Sequence, residues 1–498
     1  MNALEKLAQL RASGGKRLTN GLDSDTISRF AEHDPALTQA IDMAWDTFQR
    51  IKVDYPALID MDEADQLSEI QRDFVNFYAD DAVNPYVSLA AKGPWLITLK
   101  GAVLHDNGGY GMLGMGHAPD SVIEAMSRPH VMANVMTPNI HQKRLTDALR
   151  KEIGHTRGHC PFDRFLCLNS GSEAVTVAAR ISDINAKNMT DPEGRHAGKP
   201  VKIMSLQGAF HGRTDRPAQF SDSSLKTYRE YCASFRDRDN LITVPANDTD
   251  ALRRAFAEAE SQGVFIEALF MEPVMGEGNP GQAITPAFYR MARELTAAHG
   301  SLFLVDSIQA GLRATGNLSI VDYPGFENEE APDMETYSKA LNAGQYPLSV
   351  LAMNKKAANL YVKGVYGNTM TTNPRAMDVA VTVLESLNDE IRQNIRDRGE
   401  EFISRLNALK DRLNGEITGV QGTGLLFSCE LSPAFKAYGK GSIEEYLRLH
   451  GLGVIHGGEN SLRFTPHFAI TSTEVDLIVS AVEDAINNGP RIALNKAS

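Results

Sequence analysis

Two residues of this chain invite chemistry by their surroundings, Asp306 and Lys339. Asp306 ends the apolar run Leu302-Phe-Leu-Val. A carboxylate at the end of a buried strand needs a partner. It can cap a helix, pair with a loop cation, or face the protonated ring nitrogen of a cofactor such as pyridoxal phosphate, which stays an electron sink beside an acidic residue. Lys339 lies in Tyr337-Ser338-Lys339-Ala340-Leu341, a mostly apolar or small segment. A lysine in a low dielectric loses its proton more readily, and the free amine can form a Schiff base with an aldehyde. A surface lysine beside a helix would have the same neighbours in sequence, so the local pattern leaves both readings open.

Three further groups sit in similar places. Asn169-Ser170-Gly171-Ser172-Glu173-Ala174 joins an apolar run to a helical one. It offers backbone N–H groups and hydroxyls at a helix start, which suits a phosphate and equally suits a plain N-cap turn. It is neither a P-loop, since no Lys follows, nor a G-x-S-x-G elbow. Phe210-His211-Gly212-Arg213-Thr214 provides a ring that could stack on a planar cofactor and a guanidinium that could hold a carboxylate, or else a core Phe and a surface Arg. Glu272-Pro273, Glu277 and Arg463 complete the set, each weak alone. The glycines at 111, 114 and 116 do not make a dinucleotide fingerprint.

The elements that must position these residues read as α/β. Short apolar runs at Phe165–Leu168, Val201–Leu206, Ala268–Met271 and Leu302–Val305 alternate with helical patterns such as Glu173–Ala186. That alternation predicts a mostly parallel sheet with helices on its faces, and chemistry in such sheets gathers at the carboxyl ends of the strands. Ahead of it, Trp95-Leu-Ile-Thr-Leu predicts a strand closed by a turn at Lys100-Gly101, and Gly108–Gly116 a loop. After Pro374, apolar spacing from Met377 to Leu413 predicts one long helix ended by Gly415. Residues 1–80 read as charged amphipathic helices, with helical spacing from Glu63 to Phe77.

A length of 498 residues is too great for one ordinary core. The net charge of −13 argues against a nucleic acid or an anionic membrane as partner, since both require clustered Lys and Arg. Cys160, Cys167, Cys232 and Cys429 form no C-x-x-C pair and read as free thiols of a reducing compartment. No run approaches the length of a membrane span, and the N-terminus lacks a basic-then-apolar signal pattern, so a cytoplasmic protein is expected.

Taken together and in order, SGSEA, GAFHGRT, MEPVMGEG, VDSIQAG and YSKAL resemble the class III pyridoxal-phosphate aminotransferases, the family of the 4-aminobutyrate, ornithine and acetylornithine enzymes. The resemblance runs from about Trp95 to the C-terminus. It implies the aspartate-aminotransferase-like fold type I: residues 1–80 a helical extension, 81–135 a segment of a small domain, 136–375 the large cofactor-binding domain, and 376–498 a small α+β domain. It implies that Lys339 holds pyridoxal phosphate as a Schiff base and that Asp306 pairs with the pyridine nitrogen. By the same likeness Gln309 lies near the phenolic oxygen, Phe210 stacks on the ring with His211 beside it, and Glu272 supports the site. Ser170, Gly171 and Ser172 resemble the phosphate donors. Thr369 resembles a threonine that reaches the phosphate in a neighbouring subunit, which implies a homodimer with shared active sites. Arg463 is similar to the arginine that grips an α-carboxylate, Glu277 to its switching partner, and Arg213 to a binder of the distal carboxylate.

The expected reaction is ping-pong transfer of an amino group from an ω-amino acid or diamine-type donor to 2-oxoglutarate. A racemase, aminomutase or lyase of the same fold would keep the same lysine and aspartate. A non-catalytic binding protein of the fold would be marked by loss of the lysine, which is present here. The chain departs from the family pattern at Ser307 where Glu is usual, at Met275 where Gln is usual, at Thr371-Thr372 before Asn-Pro, and at Leu312-Arg313-Ala314 after Gly311. None of these touches Lys339 or Asp306; they bear on the substrate and the reaction outcome.

Overall fold

The computed structural model describes residues 1–492. The chain divides into two compact units: one holds residues 121–396 and 422–426, the other residues 1–120, 397–421 and the chain from Phe427 onward.

The first unit is built on a seven-stranded sheet in the order Arg164–Leu168, Ser349–Met353, Met334–Tyr337, Leu302–Asp306, Phe265–Met271, Val201–Leu206, Leu241–Val244. Ser349–Met353 runs antiparallel to both its neighbours; the other pairings are parallel. The expected mostly parallel α/β sheet is therefore present. Phe265–Met271 is buried at every position, as a strand covered on both faces must be. Its one acid, Glu267, is accommodated because Arg216 and the Ser182 hydroxyl donate to it at 2.7 and 3.1 Å. The helix Gly171–Thr190 turns Ala174, Val175, Ala178 and Ile181 onto the sheet, where they share a core with Leu168, Phe270, Leu304 and Leu351. Small and β-branched residues on that stripe let the helix lie close to the strands.

Three of the seven strands, Leu241–Val244, Met334–Tyr337 and Ser349–Met353, lie outside the runs read from the sequence. Met334–Tyr337 is the instructive case, because a fully buried Glu335 and Thr336 occupy its middle. The long helix expected after Pro374 is two helices, Pro374–Ser386 and Asp389–Arg412. The chain leaves helical geometry at Leu387, and the Asn388 side chain accepts from the Ile391 N–H at 2.8 Å, restarting the next helix.

In the second unit the helices Ala3–Arg11, Ser24–His33 and Pro35–Asp54 are core layers. Leu7, Leu10, Ile27, Phe30, Leu37, Ile41 and Phe48 bury against Trp95, Ile97, Leu99 and Val103 of a four-stranded sheet formed by Ser88–Lys92, Trp95–Thr98, Val103–Asp106 and Leu452–Gly453, antiparallel but for the last pairing, which is parallel. Trp95 is fully buried and donates its indole N–H to Asp34 at 2.5 Å, which satisfies the one polar atom of an otherwise apolar contact. The spacing expected to be helical from Glu63 to Phe77 is helical over Glu63–Gln71. A second four-stranded sheet runs Ile417–Thr423, Leu426–Leu431, Ser461–Phe464, Ile455–Gly457. Among the described residues no helix is long and apolar enough to cross a membrane, and all four cysteines are free.

Candidate active site

The carboxyl ends of the central strands bring most of the singled-out residues of the sheet unit together. Asp306 is the last residue of its strand and is almost fully buried. Its Oδ2 lies 2.9 Å from His211 Nδ1; its Oδ1 accepts from Thr336 Oγ1 at 3.1 Å and from the Ile308 N–H at 3.2 Å. The carboxylate is thus held by three elements at once. His211 is buried too, its N–H donates to Ser221 Oγ at 2.9 Å, and its Nε2 has no hydrogen-bond partner. His211 is thus placed to orient Asp306.

Lys339 follows the next strand and opens a short 3₁₀ turn, Lys339–Asn342. Its Nζ is 3.5 Å from Gln309 Oε1. Its φ of +47° is left-handed, a conformation that costs a non-glycine residue about 1 kcal/mol. Gln309 is buried and its Nε2 has no hydrogen-bond partner, which leaves a buried donor unsatisfied. Gly276 explains how Gln309 fits: a Cβ there would lie 2.0 Å from Gln309 Oε1, so only glycine permits the approach.

Glu272, one residue past the Phe265–Met271 strand, accepts the Phe210 N–H at 3.0 Å and the Gly276 N–H at 2.8 Å. It ties both loops to the strand end. Burial pushes its carboxyl up to about 7, against the pull of His211 and of those two N–H groups. The folded protein therefore keeps this proton over a pH range in which the unfolded chain, titrating near 4.5, has lost it. The stability it contributes is greatest below that range and declines as pH rises toward 7. Glu272→Gln should reduce the fall in unfolding free energy between pH 5 and 8 by about 2 kcal/mol. Urea titrations of cofactor-free protein at both pH values measure it, and equal slopes in wild type and variant would refute it.

The Asn169–Ser172 turn leads into the N-terminus of Gly171–Thr190. Ser170 is its N-cap, with Oγ accepting from the Glu173 N–H at 3.3 Å. The Gly171 and Ser172 N–H groups stand at the first two helical positions, which have no acceptor within a helix. Ser172 Oγ accepts from the Arg213 N–H at 3.2 Å. Gly212 allows this crossing, with φ +118° and a hypothetical Cβ only 2.2 Å from that hydroxyl. The half-buried Phe210 ring has the exposed Arg213 guanidinium over it at 5.2 Å. Glu277 is half-buried beside Gly276.

The remaining two candidates are Thr369 and Arg463. Thr369 is exposed, although its neighbour Asn368 donates to Glu173 Oε1 at 2.9 Å and so reaches the first turn of the helix. Arg463 belongs to the other unit, where it is almost fully buried with its guanidinium 5.3 Å from the Tyr110 ring centre.

Thr336 was not among the sequence candidates; its signal is the period of two in Met-Glu-Thr-Tyr, which puts it on the Asp306 face once that segment is read as a strand. Ser221, under His211, has no comparable local signal. The residues present suit pyridoxal phosphate: an unpartnered buried amide donor at Gln309, a tied carboxylate at Asp306, a lysine amine, and a helix N-terminus for a phosphate.

Comparison with known proteins gives the family of the chain. The sequence profile described as Aminotransferase class-III matches residues 77–486. The acetylornithine aminotransferase of Thermosynechococcus vestitus is 29% identical over 380 residues, 75% of this chain and 85% of that one. Ornithine aminotransferase 2 of Staphylococcus aureus is 29% identical over 402 residues, 80% of this chain and 93% of its own. The crystal structure of the ornithine aminotransferase from Toxoplasma gondii ME49 superposes with a TM-score of 0.73 at 24% identity, covering 88% of this chain and 98% of that one. The chain belongs to the class-III aminotransferases and is a transaminase that depends on pyridoxal phosphate.

Proposed function

We propose that this enzyme moves an amino group from an ω-amino acid or diamine-type donor to 2-oxoglutarate by ping-pong turnover, with Lys339 as the residue that carries the cofactor. The observation that supports this most is the meeting, at neighbouring strand ends, of the Lys339–Gln309 approach at 3.5 Å and the Asp306–His211 contact at 2.9 Å.

Pyridoxal phosphate, when bound, supplies an aldehyde for amine condensation and a ring that takes up the electron pair left by a departing proton. Asp306, fixed on both oxygens, holds a negative charge where a ring nitrogen must stay protonated. Lys339 Nζ is the base that takes the proton from the donor's amine-bearing carbon, and the nearby Gln309 limits where that nitrogen can go. Gln309 Nε2 offers its hydrogen to a cofactor oxygen, Phe210 offers a ring face, and the Gly171 and Ser172 N–H groups offer donors to a phosphate. Arg213, exposed beside Phe210, suits a carboxylate by bidentate pairing. Exposed apolar residues of the sheet unit, with Val131, Met136 and Ile140 at 75, 82 and 68%, favour an active pair of identical chains.

The test is a single half-reaction. With 4-aminobutyrate, ornithine, acetylornithine, lysine, β-alanine or putrescine and no oxo acid, at least one donor should lose one amino group per subunit and then stop. Added 2-oxoglutarate should restart turnover and yield glutamate, and the active species should run at the mass of two 54.5 kDa chains. Continued turnover without an oxo acid, or no glutamate with any donor, overturns the reading.

A further inference from the structure

Glu335 is fully buried in the strand Met334–Tyr337, and among the described residues it has no ion-pair partner. A carboxylate in that setting costs several kcal/mol unless its oxygens are well bonded. Here they are. Oε1 accepts from Ser307 Oγ at 2.6 Å and from the Ile320 N–H at 3.0 Å; Oε2 accepts from Ser319 Oγ at 2.5 Å. Its strand neighbour Thr336 points the other way, as period two requires, and donates to Asp306 Oδ1 at 3.1 Å. Thr336 also accepts the Ser307 N–H through its carbonyl at 3.0 Å.

One strand therefore grips two successive residues of the chain from opposite faces. Thr336 holds Asp306 on the cofactor side, and Glu335 holds Ser307 from beneath. The turn fixed in this way continues to Gln309, whose Oε1 meets Lys339. A valine at 335 would avoid the cost of a buried acid but would leave the Ser307 and Ser319 hydroxyls and the Ile320 N–H without their shared acceptor.

We infer that Glu335 is a positioning residue for transamination: it clamps the Asp306–Gln309 turn through Ser307, and so sets where Asp306 and Gln309 stand relative to Lys339. The inference rests on the roles proposed above for Asp306 and Lys339. It assigns to Glu335 no contact with substrate or cofactor.

The experiment uses full-length holoenzyme. Glu335→Val should lower kcat about ten- to hundredfold, the scale of a misplacement near 1 Å. KM for donor and for 2-oxoglutarate should move less than about threefold, since carboxylate and amine recognition lie elsewhere. The visible absorbance maximum of the bound cofactor should shift with it. Glu335→Gln keeps an acceptor for Ser307 and Ile320 and can donate to Ser319 Oγ, so it should recover most of the lost kcat. A Glu335→Val enzyme with wild-type kcat and absorbance overturns the inference, as does a Glu335→Gln enzyme no better than the valine variant. If the valine variant does not fold, Ser307→Ala decides: a loss of kcat of a few-fold or more with unchanged KM supports the clamp, and wild-type kcat refutes it. Absence of a visible band in wild type with added pyridoxal phosphate would instead sink the function proposed above.

Discussion

Lys339→Ala should leave the protein folded and remove transamination by a factor of about 10⁴ or more, because one side chain serves as both covalent anchor and proton carrier. The fold survives for a specific reason. Lys339 already sits at φ +47°, and alanine bears the same left-handed strain as lysine, so the backbone cost is unchanged. The contact of Lys339 Nζ with Gln309 is long, at 3.5 Å, and losing that contact costs little stability. Borohydride treatment followed by peptide mapping should fix a pyridoxyl group on residue 339 in wild type and on no residue in the variant. The urea midpoint of cofactor-free variant should match wild type within about 1 kcal/mol, the usual range for a change away from the core. A variant that retains a hundredth of the wild-type turnover would mean that another group moves the proton.

How much of this could be read from the amino acids alone depends on the range of the interactions involved. Asp306 is legible because an acid interrupts an apolar run, and burial then demands a partner. The Gly171 helix start is legible because Ser170 and the residues after it carry an N-terminal capping pattern. The partner that Asp306 finds within the protein is not legible. His211 lies 95 positions away in the chain, and nothing local to His211 distinguishes it from a histidine satisfied elsewhere. The strand of Glu335 and Thr336 is hidden for a related reason. A polar pair in its middle breaks the apolar signal, and only the neighbouring strand and the loop at Ser319–Ile320 supply the bonds that make burial tolerable.

The helices of the first eighty residues show a third case. Their amphipathic spacing is plain, but spacing does not say what the apolar face will meet. Their role as a core layer over Trp95 and Val103 comes from tertiary packing. The break at Leu387 in the helix expected after Pro374 is smaller in scale: Asn388 offers its own side chain as a cap, and that local bond outweighs a continuous apolar stripe.

Asp306→Asn should cost about 10³-fold in kcat, equivalent to about 4 kcal/mol of transition-state stabilisation, while KM for 2-oxoglutarate changes little. The size of the effect should come from charge and not from shape. Asparagine is isosteric, and its Oδ1 can still accept from Thr336 Oγ1 and the Ile308 N–H, which now donate at 3.1 and 3.2 Å. Its amide N–H₂ would face His211 Nδ1, and two donors there would repel. His211 has a way out, because its Nε2 is buried without a partner. Moving the ring proton to Nε2 turns Nδ1 into an acceptor, so the contact at 2.9 Å can be kept with the donor reversed. What asparagine cannot restore is the negative charge that keeps a ring nitrogen protonated, and in a buried site that charge is screened little by solvent. Two measurements separate the causes: kcat reports the lost charge, and the urea midpoint reports any misfit. A variant within tenfold of wild-type kcat would show that Asp306 does not govern the ring. An equal loss in kcat accompanied by a large fall in stability would trace the defect to the His211 contact instead.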